Sequence, residues 1–184
     1  MKNTIVDRKR TGLLVIDVQD RLFSLVERQC DVTHAIELTI KGANILNLPI
    51  VVTEQYPEKM GRTIEVLRNA LGERYQPVGK RTFSCLAEEG LNKQVLDLPV
   101  DYWILVGIEA HVCILQTAKA LLKAGKEVII LNDAISARSI YDYSTAIAEL
   151  RDCGARISSV ETILFELLQD SRLPEFKEIS QLIK

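Results

Sequence analysis

The chain is short of the residues on which metal and disulfide chemistry depend. Its 184 residues include only two histidines and four cysteines, the latter at positions 30, 85, 113 and 153 with no CxxC spacing. That scatter speaks against a zinc knuckle and a disulfide framework, and reads as free thiols in a reducing, cytoplasmic setting. No run approaches the roughly 20 apolar residues of a membrane-spanning helix, so no membrane partner is expected. The first apolar run, Leu13 to Ile16, is too short for a secretory signal and ends on Asp17. Charge of one sign is lacking as well. The formal net charge is −2, and the short basic run Arg8-Lys9-Arg10 reads as a solvated lead-in to a strand, so no nucleic-acid partner is expected.

What the chain has is core-forming material, 47% hydrophobic residues at a length one domain can fill without staples. A single domain over 1–184 is expected. Short apolar runs alternate with longer segments of helical spacing. LLVIDV (13–18), PIVVTE (49–54), a weak QPVGK (76–80), YWILVG (102–107), EVIILND (127–133) and ARISSV (155–160) read as strands. Helices are expected over 32–46, 64–71, 86–96, 112–123 and 141–152, with two more helical segments closing the chain. Gly125 and Gly154 stand where helix-terminating glycines belong. Strands apolar on both faces and separated by helices call for an α/β fold, a parallel sheet covered on both sides.

Ligands of open parallel sheets bind at the carboxyl ends of the strands. The polar residues there are Asp17, Glu54 to Tyr56, Lys80, Gly107 through Cys113, and Asn132 with Asp133. Cys113 opens a helix, where unpaired N–H groups and the helix dipole favour a thiolate. A thiol nucleophile needs a base, and the histidines serve poorly. His34 lies early in a surface helix, and His111 is two residues from Cys113, a separation that does not bring side chains face to face on a helix. Asp17 and Lys80 each have a bland reading alone, as a capping carboxylate and a surface lysine. The GKR at 79–81 is no phosphate-binding loop, lacking its glycine spacing and its Ser or Thr. Together with Cys113 they form a nucleophile, a base and an orienting cation that would converge if their strands are neighbours.

These stretches resemble the isochorismatase-like cysteine hydrolase superfamily nearly end to end. The likeness runs from LLVIDVQ (13–19) through VGKRTFS (78–84) and VGIEAHVCILQTA (106–118) to DAISARS (133–139). TEQYP (53–57), KRTFS (80–84), GIEAHVC (107–113) and the closing FKEISQLIK look most like the isochorismatase-domain-containing branch, whose substrate is uncertain. The resemblance implies a three-layer αβα sandwich around a mostly parallel six-stranded sheet. It implies a catalytic triad of Asp17, Lys80 and Cys113, and a non-proline cis peptide between Ile108 and Glu109. It also implies an oxyanion hole from the backbone N–H groups of Glu109 and Cys113, and a homo-oligomer, a dimer or larger. Loop position and resemblance together place Gln55, Tyr56, Phe83, Ser84 and Glu109 around the substrate.

Where metal-binding relatives carry Asp-x-His, this chain reads Glu54-Gln55-Tyr56-Pro57, so neither metal nor cofactor is expected. Glu109 stands where many amidases have Ala or Thr, which speaks against a nicotinamide-like substrate. Cys113 favours covalent acyl chemistry over vinyl-ether cleavage. The expected function is hydrolysis of a small amide or related acyl compound through a thioester. Two alternatives stay open, a non-catalytic binding protein that keeps the fold and a thiol redox sensor in which Cys85 resolves Cys113.

Overall fold

In the computed structural model, residues 6–184 are described; the first five residues of the expected 1–184 domain lie outside the described residues. Six strands form one sheet: β1 (Thr11–Ile16), β2 (Ile50–Gln55), β3 (Val78–Lys80), β4 (Tyr102–Gly107), β5 (Glu127–Ile135) and β6 (Arg156–Ser158). Their order is β3-β2-β1-β4-β5-β6. Every pairing is parallel, so the sheet expected to be mostly parallel is wholly so.

Alternation along the strands divides the core in two. Leu13, Val15, Ile104, Val106, Ile129 and Leu131 face one side of the sheet. There they meet α2 (Gln29–Ile45), α4 (Glu65–Leu71), α8 (Val160–Leu168) and α9 (Phe176–Ile183). Leu14, Ile16, Trp103, Leu105, Val128 and Ile130 face the other. That side is covered by α5 (Glu89–Asp97), α6 (Leu115–Lys123) and α7 (Ile140–Asp152). All six residues of β1 are buried, as a central strand between two helical layers requires. Two four-residue helices, α1 (Asp20–Phe23) and α3 (Pro57–Met60), lie outside these layers. Neither is foreseen from the sequence.

The sheet reverses its winding between β1 and β4. Crossovers from β1 lead outward to β2 and β3, and the chain then returns to place β4 on β1's other flank. Carboxyl-end loops diverge at such a switch point and leave a crevice. Asp17 follows β1 into it, and residues 107–113 follow β4.

Candidate active site

Three strand ends at this edge depart from ordinary backbone. Asp17 (φ 57°), Tyr56 (φ 40°) and Glu109 (φ 57°) are all left-handed, after β1, β2 and β4 respectively. Non-glycine residues hold this conformation at a cost of about 1–3 kcal/mol each, and such strain gathers at functional sites.

The floor of the crevice is a buried ion pair. The side chains of Asp17 and Lys80 are both fully buried, and Lys80 Nζ donates to Asp17 Oδ2 at 2.7 Å. The other carboxylate oxygen, Asp17 Oδ1, accepts from Thr53 Oγ1 at 2.7 Å. Lys80 also reaches Gln55 Oε1 at 2.7 Å and the carbonyls of Thr82 and Phe83 at 3.1 Å each. The loop after β3 therefore curls over the ammonium it supplies. Cys113 Sγ lies 3.8 Å from the same Nζ, and Cys113 is only 3% exposed. Strands one, three and four thus bring together the three residues singled out from the sequence.

Electrostatics here differ from the sequence-based expectation of a ready thiolate. Burial, and then the Asp17 carboxylate, push the Cys113 thiol well above its ordinary range, outweighing the downward pull of Lys80. For Lys80, burial works against the ammonium, but Asp17 and the neighbouring thiols outweigh it and its pKa is raised. The resting arrangement is therefore a protonated thiol beside a Lys–Asp ion pair.

The expected cis peptide between Ile108 and Glu109 is corrected by the structure: among the described residues no peptide bond is cis. The chain turns on dihedral angles instead, with Gly107 at φ 136° and Glu109 at φ 57°, ψ 53°. A cis bond before a non-proline residue costs about 3–4 kcal/mol, and a glycine in left-handed space makes the bend without it. A Cβ on Gly107 would lie 2.2 Å from the Ile16 carbonyl oxygen, so this glycine also lets β4 press against β1. Next comes a wide π-helical turn, Ala110–Ile114, before α6 begins. Ile114 N–H reaches back five residues to the Glu109 carbonyl at 3.5 Å. Cys113 lies inside this turn, and single π turns are frequent at functional sites.

A cavity of about 250 Å³ opens above the thiol, bounded by Gln55, Tyr56, Phe83, Glu109 and Cys113 together with Leu22, Leu25, Met60, Val112 and Arg138. Of the expected substrate-facing residues, Ser84 is not among its walls. Its hydroxyl accepts from Leu86 N–H at 3.3 Å and caps a short turn. Gln55 borders the cavity, but its amide is already engaged by Lys80 and the Arg81 carbonyl. Tyr56 packs against Arg81 and Lys59, whose cationic groups lie 3.3 and 5.0 Å from its ring centre. Glu54 is spent on structure. One of its oxygens accepts from Thr63 N–H, Thr63 Oγ1 and Tyr75 OH at 2.6–2.9 Å, fixing the loop beyond β2.

Sequence reasoning missed Thr53, Arg138 and two leucines, Leu22 in α1 and Leu25 just beyond it. Arg138 lies in DAISARS, a stretch that carried the family likeness but was given no role there. Its Nε lies 3.2 Å from Glu109 Oε1, and His111 Nε2 lies 3.9 Å from Glu109 Oε2. Among the described residues, no three His, Cys, Asp or Glu side chains are grouped so as to hold a metal ion.

Residues 11–162 match the isochorismatase domain. The chain is 37% identical over 175 residues to the secreted isochorismatase effector Isc1 of Phytophthora sojae, spanning 94% of this chain and 83% of that protein. It is 35% identical over 175 residues to isochorismatase domain-containing protein 2 of Danio rerio, spanning 95% and 87%. Among solved structures, the MAR1 ribonuclease of Caenorhabditis elegans superposes with a TM-score of 0.90 at 34% identity, over 98% of this chain and 92% of that one.

Proposed function

Because the chain belongs to the isochorismatase family, which it matches over most of its length, we propose that it is a cysteine hydrolase acting on a small amide or related acyl compound. The observation that carries this reading is the buried Lys80 ammonium, 2.7 Å from Asp17 and 3.8 Å from the Cys113 sulfur at the foot of a small cavity. Cys113 is the nucleophile, Asp17 the general base and Lys80 the charge that serves both.

The raised thiol pKa fits proton transfer at the moment of attack. The thiol proton passes to Asp17 as sulfur bonds to the substrate carbonyl carbon. Negative charge then moves from carboxylate to substrate oxygen while Lys80 stays beside the site. General-base transfer of this kind contributes about 10²–10⁴ in rate. The backbone N–H groups of Glu109 and Cys113 are assigned to the oxyanion, where one good donor is worth about 10²–10³. In support, the Glu109 N–H has no hydrogen-bond partner among the described residues. Asp17 next gives its proton to the leaving amine, and water cleaves the thioester, returning thiol and acid.

A redox-sensor role draws less support. Sensor thiols are exposed and low in pKa, whereas Cys113 is buried and raised, and burial pushes the Cys85 thiol up to about 11. Four unpaired cysteines support a reducing, cytoplasmic setting. No helix among the described residues is long and apolar enough to cross a membrane. We further propose that the working form is a homo-oligomer.

Hydrolysis of a panel of small neutral amides by the Cys113→Ala protein tests the mechanism. Turnover should fall by at least about a thousandfold. Turnover that survives the substitution would sink the covalent route.

A further inference from the structure

Charges around the cavity come in two pairs. Asp17 and Lys80 lie fully buried behind the thiol, outside the cavity's walls, and Glu109 and Arg138 stand in the wall. The Asp17 carboxylate accepts from a hydroxyl and an ammonium and is reserved for the Cys113 proton. Glu54, near the end of β2, is held by three fixed donors. Glu109 is different. Its side chain is only 11% exposed, yet among the described residues its neighbours are Arg138 at 3.2 Å and His111 at 3.9 Å, with no hydroxyl or backbone donor. A carboxylate so placed has lone pairs left for a ligand.

Arg138 lies further out, 54% exposed, and Glu109 is its ion-pair partner. A substrate bearing a carboxylate would have to take Arg138 away from Glu109, leaving a nearly buried acid without its cation in a space of about 250 Å³. The cost falls on the carboxylate, since a nearly buried acid stripped of its cation is left uncompensated, whereas the half-exposed Arg138 is solvated either way. A neutral substrate disturbs neither pair, and an N–H on it can donate to Glu109. Beside Gln55 and Tyr56, the walls Leu22, Leu25, Met60, Phe83 and Val112 suit a short apolar body.

We propose that Glu109 is the charge filter of this pocket, holding Arg138 and turning away carboxylate-bearing amides, so that the site takes small neutral amides with an N–H donor. This deepens the cysteine hydrolase reading and rests on Cys113 as its nucleophile. Specificity here works by repulsion as much as by attraction.

Two alkylating reagents of nearly equal size, iodoacetamide and iodoacetate, differ by one negative charge and test the filter without any turnover. The full chain is treated with each, and labelling at individual cysteines is followed by mass spectrometry, with exposed Cys30 as the internal reference. Cys113 should prefer the neutral reagent at least tenfold more strongly than Cys30 does. Glu109→Gln should cut that excess preference fivefold or more, because Arg138 is then free to attract the anion. Arg138→Gln should move it the other way, and as an exposed position it carries the test even if the Glu109 variant does not fold. A merely structural role for either residue would not give shifts of opposite sign. An excess preference unchanged in both variants, or absent from the native protein, overturns the filter while leaving the nucleophile in place. A Cys113 that takes neither reagent while Cys30 is labelled shows a pocket closed to the neutral reagent too and overturns the filter, and the nucleophile is then judged by Cys113→Ala alone.

Discussion

Cys113 and Cys85 are held as thiols by the fold, and that has a consequence for stability. Burial raises both above the ordinary thiol range, with the Asp17 charge adding to it, and Cys85 reaches about 11. Lys80 is raised too, by Asp17 and the thiols against the effect of burial. A group whose folded pKa is raised stabilises fully below its unfolded pKa and loses that contribution as pH climbs through the folded value. All three groups therefore act with one sign. The midpoint of urea unfolding should stay level near neutrality and fall above about pH 9, with Cys85 alone contributing about 2–3 kcal/mol across its window. Cys85→Ala should flatten part of that fall; a profile flat to about pH 10.5 would contradict the assignment. At this scale the sequence was most legible where polar residues interrupt apolar strand ends, which picked out Asp17, Lys80 and Cys113. It was silent on Thr53, because a threonine inside a strand is ordinary, and on Arg138, because a loop arginine has no periodicity to break. The thiolate expected from a helix terminus is opposed by burial and Asp17, which outweigh the pull of Lys80 and raise the thiol.

At the level of elements, the junction from β4 to α6 does most to shape the site. Helix spacing placed a helix from Val112, but the chain first makes a π turn over Ala110–Ile114. Both conformations present the same apolar positions to the core, so hydrophobic pattern alone does not separate them. The turn depends on Gly107, where any side chain meets both a φ of 136° and the Ile16 carbonyl. Gly107→Ala should destabilise the protein by about 3 kcal/mol or more, read from chemical denaturation, and disturb the cavity through Glu109. A loss below about 1 kcal/mol would mean that β1 and β4 relax easily at this point. Core strands and long helices were legible because they bury one face or both. The α1 segment was not, because four residues are too few to make a repeating pattern, with Leu22 bordering both the cavity and the core.

For the molecule as a whole, the exposed apolar residues bear on its assembly. From the sequence, the segment Ile163 to Leu168 was open to either role, interface or core. In the structure Ile163, Leu164, Leu167 and Leu168 are each 2% exposed or less and belong to the core, which leaves Phe165, 36% exposed, as the large apolar side chain α8 offers a partner. The four most exposed large apolar side chains lie near the cavity and just beyond Arg138, while Val66, Phe165 and Leu173 are exposed to a lesser degree elsewhere. Leu25 and Phe83 are both cavity residues, and Ile140 and Tyr141 open α7. Apolar groups gathered at one edge are characteristic of association surfaces, whereas scattered ones need no explanation. The proposed homo-oligomer should therefore use this edge rather than the α8–α9 side. Light scattering at micromolar concentration should give a mass at least twice that of the 20.7 kDa chain. Ile140→Ser with Tyr141→Ser should lower it, because removing exposed apolar area weakens association with little effect on a core these residues do not join. If the native protein is a monomer throughout the micromolar range, the oligomer proposal fails. If the double variant keeps the native mass, the oligomer stands but its interface lies on another face.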